Sequence, residues 1–182
     1  MQVEILSGPP VSGTIREHWF NARGSCTWAR FTEPGGEEWA GAFGEGGSTR
    51  YRAAVLFNEG RDAFVVAGGQ GYVVDLSARR LRYMTPCDYH VGVIAVPRRD
   101  LVIAAGFTDL YAYSSAGPEW RSDRVALDGI HFEAATPDAL TGHVWQGEAW
   151  HEFRLDLRSW RLVQGRAVSD NWLAFDGGPT AT

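Results

Sequence analysis

The sequence predicts an all-β fold made of short antiparallel meanders, and three observations predict it. Short apolar runs recur along the chain, separated by turns rich in Gly, Pro, Asn and Asp. Helical 3.6-residue periodicity is weak throughout. The runs also group into units that echo one another: Tyr72-Val-Val-Asp-Leu with Leu81 matches Phe153-Arg-Leu-Asp-Leu with Leu162, 81 residues on, and Tyr111 with Trp120 falls between them.

A period of about 40 residues with four short runs in each unit is the pattern of a propeller blade. One four-stranded sheet cannot bury both of its faces, so such units stack. The expectation is therefore about four propeller-like blades. A β-sandwich or β-barrel built from the same meanders is the alternative, because it shares the strand spacing.

The totals fit one domain. The chain has 182 residues, is 45% hydrophobic and 13% aromatic, and can bury a real core. A net charge of −5 argues against nucleic-acid binding, which normally needs a basic stripe. All 17 basic residues are Arg, which reads as the codon bias of a GC-rich bacterial genome. No apolar run approaches 18 residues, so no membrane helix is expected. The N-terminus lacks a basic region followed by an apolar one, so no signal peptide is expected, and the expected location is cytoplasmic. Cys26 and Cys87 stand far apart and read as buried, reduced thiols.

Taken in order, residues 1–50 form an N-terminal portion, a degenerate blade. Val3 to Leu6 is a short run, and Pro9-Pro10 stops any ladder. Residues 14–33 look like a hairpin, with Ile15, His18, Trp19 and Phe20 on one arm and Cys26, Trp28 and Phe31 on the other. Asn21-Ala22-Arg23-Gly24 would be its turn. Residues 34–49 are Gly-rich, a loop with an aromatic insert (Trp39, Phe43) or a strand between loops. No Gly-Lys-Ser/Thr accompanies these glycines, so they make no phosphate loop. Three clear repeats fill 51–165. Residues 166–182 would close the domain, with Asn171 to Phe175 as a last strand.

The stretch Asp109-Leu-Tyr-Ala-Tyr…Gly117-Pro-Glu-Trp120…Asp128-Gly-Ile, ending in Phe153-Arg-Leu-Asp156-Leu, is similar to a family of small bacterial proteins with propeller-type repeats of the WD or PQQ kind. The resemblance covers roughly residues 53 to 165. It implies a propeller-type fold and no particular activity.

The main candidate site is the hairpin around Gly147-Glu148. A two-residue turn there, or a four-residue loop from Gln146 to Ala149, sets Trp145 opposite Trp150 and His143 opposite Glu152. Alternation then puts His143, Trp145, Trp150, Glu152 and Arg154 on one face. Val144, His151, Phe153 and Leu155 take the other, with the Val/Phe/Leu side as core. Two Trp with polar handles make the chemistry of a binding surface, though inter-blade packing would use the same rings.

Other constellations are thinner. His131, His143 and His151 with Glu133 and Glu152 fit no standard zinc spacing, and no metal or other cofactor is expected. Asp75 and Asp156 occupy equivalent repeat positions, which suggests turn-initiating roles. Asp88-Tyr89-His90 sits between two repeats, where polar residues rim ligand channels or cap turns. No Gly-x-Ser-x-Gly is present, and the closeness of Cys87 to His90 is the one hint of a nucleophile.

The expected function is thus a non-enzymatic binding or protein-interaction module presenting an aromatic and acidic surface, with toxin neutralisation or scaffolding inside that class. Its partner would be a protein or a small ligand. The alternative is a small enzyme or carbohydrate-binding protein with a Trp-lined cavity, using His143 and Glu152, or Cys87 and His90, as acid and base. Too few blades would also favour a homo-oligomer.

Overall fold

The computed structural model describes residues 1–11 and 13–168. They form four four-stranded sheets laid face to face. The first holds β1 (Gln2–Leu6), β2 (Arg16–Phe20), β3 (Cys26–Thr32) and β4 (Glu38–Gly44). The second holds β5 (Arg52–Phe57), β6 (Asp62–Ala67), β7 (Gln70–Asp75) and β8 (Arg80–Met84). The third holds β9 (Gly92–Ala95), β10 (Val102–Ala105), β11 (Leu110–Tyr113) and β12 (Pro118–Arg121). The fourth holds β13 (Ile130–Ala135), β14 (Ala139–Trp145), β15 (Trp150–Asp156) and β16 (Arg161–Val168). These are propeller-like blades. Consecutive blades meet along their first strands, β1 with β5, β5 with β9 and β9 with β13. The closing strand expected at Asn171 to Phe175 lies outside the described residues. No helix among the described residues is long and apolar enough to cross a membrane.

Three apolar layers hold the blades together. Phe31, Trp39 and Phe43 of the first blade meet Val65, Tyr72 and Val74 of the second. Phe64, Val66 and Val73 on the other face of the second meet Val102, Ala104, Tyr111 and Tyr113 of the third. Ile103, Leu110 and Ala112 of the third meet Leu140, Val144, Phe153 and Leu155 of the fourth. β6 and β10 are therefore covered on both faces, and after Asp62 their residues Ala63 to Ala67 and Val102 to Ala105 are unbroken apolar runs. β14 and β15 alternate buried and partly open residues, as strands at the end of a stack must. Truncating a ring such as Trp39, which has no exposed surface, costs about 3–5 kcal/mol.

Three blades are plain antiparallel meanders, and the first is not. Its strand order is β1-β3-β4-β2, with β2 parallel to β4. This corrects the hairpin expected over residues 14–33: β2 and β3 are neighbours in sequence, yet β4 lies between them. The core explains the placement. From the outer edge, Phe20 stacks on Phe43 with ring centroids 4.9 Å apart, and His18 meets Trp39 edge-on at 5.3 Å. The link after β2 then passes over Gly44, where a Cβ would lie 2.2 Å from the Asn21 carbonyl oxygen. β1 and β2 are the two edge strands of this blade. Leu6 and Ile15 pack on Trp28, Ala40 and Ala42 on the outward face of this blade, where Trp19 meets Trp28 edge-on and stays largely exposed. The Gly-rich stretch after residue 34 contains a full strand, β4, that carries Trp39 and Phe43.

Repeated aspartates close the meander turns. Asp75 Oδ1 accepts from the Ala78 amide at 2.9 Å and the Ser77 hydroxyl at 2.9 Å. Asp156 Oδ1 accepts from the Arg158 and Ser159 amides at 2.9 and 2.8 Å. These bonds favour the carboxylate form and hold both groups below the usual range.

Candidate functional site

Between the second and third blades lies a cleft of about 520 Å³, lined by Pro86, Cys87, Asp88, Tyr89, Tyr111 and Tyr113 together with the whole of β12. The link from β8 to β9 brings Cys87 to His90 down into the layer between the blades. His90 has no exposed surface. Its amide donates to the Gly69 carbonyl at 3.0 Å, which pins the link to the tight turn between β6 and β7. From the facing blade, β11 presents Tyr111 and Tyr113 on one side by strand alternation.

Two polar networks meet there. In the first, the Cys87 sulfur lies 3.3 Å from His90 Nε2 and 3.5 Å from the Tyr113 hydroxyl, which is itself 3.3 Å from Nε2. In the second, the Tyr89 and Tyr111 hydroxyls share a hydrogen bond, and Tyr111 donates to Asp109 Oδ2 at 2.8 Å. Arg121 Nε and Nη2 donate to the same oxygen at 2.9 and 2.7 Å. Its guanidinium carbon sits 5.2 Å from the centre of the Tyr111 ring, a cation–π distance. Trp120 points the other way and stacks on Trp160 at 4.8 Å, in the third layer.

The electrostatics keep the first network neutral. Burial pushes the His90 imidazole down to about 4, against an opposing pull from Asp109 and Asp88. Burial pushes the Cys87 thiol up, and Asp109 and Asp88 push it further; the Tyr113 hydrogen bond and Arg121 pull it back. Burial also raises Tyr111 and Tyr113 far above the ordinary phenol range. At neutral pH the proton stays on sulfur, so this is a thiol beside an imidazole and not a thiolate–imidazolium pair.

The face singled out in sequence lies on the fourth blade. β14 and β15 pair Trp145 with Trp150 and His143 with Glu152. The two indole rings are 5.6 Å apart and tilted by 59°. Glu152 and Arg154 are exposed on this side, and Trp145 and Trp150 are half-buried. Val144, Phe153 and Leu155 turn inward to the third layer. His143 and His151 point to opposite faces, and among the described residues no three His, Cys, Asp or Glu side chains gather as a metal would need.

Sequence reasoning found Cys87 and His90 by their spacing, and it missed Asp109, Tyr113 and Arg121 as their companions. A signal was present. Asp109 directly precedes the Leu-Tyr-Ala-Tyr run, and a carboxylate next to a core strand has to find a partner. What sequence could not supply is the blade-to-blade register that carries β11 and β12 over the Cys87–His90 link.

No family model matches the chain, and no curated protein matches it in sequence. Solved structures do resemble it in shape. Hydrazine synthase from Kuenenia stuttgartiensis aligns over 91% of this chain and 53% of its own, with TM-score 0.57 and 12% identity. A chain of the mitotic checkpoint complex aligns over 93% of this chain and 56% of its own, with TM-score 0.56 and 9% identity. A 6-phosphogluconolactonase-like structure from Bacteroides fragilis aligns over 76% of this chain and 47% of its own, with TM-score 0.53 and 12% identity. The chain therefore spans about half the length of the structures it matches. At such identities the likeness is one of fold, and the fold is propeller-like.

Proposed function

We propose that the protein is a non-enzymatic binding module whose principal site is the cleft between the second and third blades. The observation that carries this reading is the cleft itself, with Cys87 set against the fully buried His90 and Tyr113. Covalent catalysis needs an activated nucleophile, and burial here works against activation of the thiol. A concave site with aromatic and proline walls and a few fixed polar groups suits recognition instead. The shape likeness to a chain of the mitotic checkpoint complex, by its name a protein assembly, is compatible with such a role.

The outward face of the fourth blade is a second contact surface in this reading. Its motive is the Trp145–Trp150 ring pair flanked by His143, Glu152 and Arg154. Flat aromatic area with charged handles is typical of interaction hot spots.

The test is a thermal-shift screen of small charged, aromatic and peptide compounds on the full chain. It compares the wild type with Tyr89→Ala and with Trp145→Ala/Trp150→Ala. Compounds that stabilise the wild type and lose their effect in one variant place binding at that surface. Turnover of an ester or amide substrate that vanishes in Cys87→Ala would overturn the proposal in favour of an enzyme.

A further inference from the structure

We propose that the cleft takes an organic cation, a guanidinium or ammonium group, and that Arg121 is its resident occupant. The inference rests on the reading of the cleft as a binding site and specifies what it binds.

Charge comes first. Asp88, Asp109 and Glu119 stand in or beside the cleft, and Arg121 is the one cation among its lining residues. Arg121 is matched by Asp109. Asp88 and Glu119 are held by hydroxyls, Ser48 Oγ donating to Asp88 at 2.7 Å and Ser114 Oγ to Glu119 at 2.6 Å. A serine hydroxyl satisfies a lone pair and leaves the charge in place. An anion entering here would meet two carboxylates, whereas a cation would be drawn in. The upward pull of Asp109 and Asp88 on the buried His90 agrees with a negative field at the floor.

The pair that already fills the site is lopsided. Asp109 is fixed: its side chain is 6% exposed, and Tyr111 as well as Arg121 donates to it. Arg121 is open to solvent: its side chain is 63% exposed and extends from β12, the edge strand of its blade. The buried carboxylate and the Tyr111 ring form a rigid receptor. The guanidinium that covers them is held by its bonds to Asp109 and by the ring, and its stem lies in solvent. Swinging Arg121 out costs little apart from the contact itself, provided another cation takes its place on Asp109 and over the ring. An external cation therefore exchanges with Arg121, with Asp88 and Glu119 flanking the entry.

Such a group comes either as a free small molecule or as an Arg or Lys side chain of a peptide. The experiment titrates the full chain with methylguanidinium, tetramethylammonium, the short peptide acetyl-Gly-Arg-Gly-amide, and urea as the neutral isostere of guanidinium. The readout is the backbone amide shifts of residues 87–90 and 109–121. Saturable shifts with the cations and none with urea are expected. Arg121→Ala, which removes the internal competitor, should tighten methylguanidinium on the order of tenfold. Glu119→Gln leaves the Asp109 pair intact, so it covers the case in which Arg121→Ala does not fold; it should weaken every cation. Tighter binding of the peptide than of methylguanidinium assigns a peptide source, and equal binding a small molecule. If urea, or acetate titrated in parallel as the anionic control, shifts the same amides as strongly, or if neither variant changes the affinity, the cation inference is overturned while the cleft remains a binding site. If no probe of any charge shifts them, the cation inference and the cleft reading both fall.

Discussion

The Cys87 sulfur and His90 Nε2 lie 3.3 Å apart at the floor of the cleft, close enough for proton transfer, and both groups are neutral. Distance alone would suggest a nucleophile and its base. Burial decides otherwise, because it penalises both charged forms at once: it raises the thiol and lowers the imidazole.

That difference can be read from thiol chemistry. In a Cys26→Ser background, iodoacetamide should modify Cys87 more slowly at pH 7 than it modifies free cysteine. The rate should climb only above the ordinary thiol range. An activated pair would react fast, with a rate nearly flat from acid to neutral pH. That outcome would return the enzyme reading to the front.

His90 also sets a pH dependence of folding. Its folded value is depressed to about 4, while an unfolded histidine titrates near 6.5. Between those limits the unfolded chain binds more protons, so stability is full above about pH 6.5 and falls as pH drops toward 4. The loss should be about 3 kcal/mol. Burial, with Arg16 and Arg79, also lowers His18, and it adds with the same sign. The depressed carboxylates Asp75 and Asp156, held by turn amides and hydroxyls, act in a lower window, because their contribution is lost as pH falls below their ordinary 3.8. Urea midpoints at pH 7.0, 5.5 and 4.5 check this. His90→Gln should start less stable and show a flatter slope; an unchanged slope would refute the assignment.

Much of this architecture was legible in residues. Tyr72, Tyr111 and Phe153 open the repeat echoes and fall on β7, β11 and β15, the third strand of their blades. They recur because every blade needs a large side chain at the same point of the layer. Alternation around Gly147 gave the fourth-blade register, since a strand covered on one side shows its period of two. The first blade escaped because β2 finds its partner at β4, beyond β3. A local pattern of apolar arms around Asn21 to Gly24 cannot report that. The cleft escaped for the same reason: Cys87 and His90 are local, but Asp109, Tyr113 and Arg121 arrive through packing between blades.

Ion pairs of unlike burial should behave differently. Asp62 has no exposed surface, and Arg82 holds it at 2.7 Å while reaching Asp75 at 2.9 Å. Arg82→Ala leaves that carboxylate with Asn58 Nδ2, at 2.6 Å, as its remaining side-chain donor. A buried charge stripped of its counter-ion is costly, and because Arg82 is itself one-third exposed the loss should be about 2 kcal/mol. Arg158 and Asp138 form an equally short pair on the surface, at 2.7 Å, with both side chains more than half exposed. Arg158→Ala should leave the urea midpoint indistinguishable from the wild type. Equal effects of the two substitutions would mean that burial does not set their strength.

Gly69 ties stability to the cleft, and its replacement should damage both. It takes φ +90 in the turn between β6 and β7, a conformation that L side chains rarely adopt. A Cβ there would also lie 2.2 Å from the Asp88 carbonyl oxygen and 2.9 Å from Thr49 Oγ1. Backbone cannot yield to such contacts as a flexible side chain can, so the Asp88–His90 link must move away. That movement breaks the His90 amide bond to the Gly69 carbonyl, and it shifts the floor of the cleft relative to Tyr113. Gly69→Ala should therefore cost about 2–4 kcal/mol, the sum of backbone strain and overpacking. It should also abolish the methylguanidinium-induced amide shifts at residues 87–90 while the protein remains folded. Loss of stability with those shifts intact would show that the link and the turn are not mechanically coupled, and that the cleft owes its shape to the third blade alone.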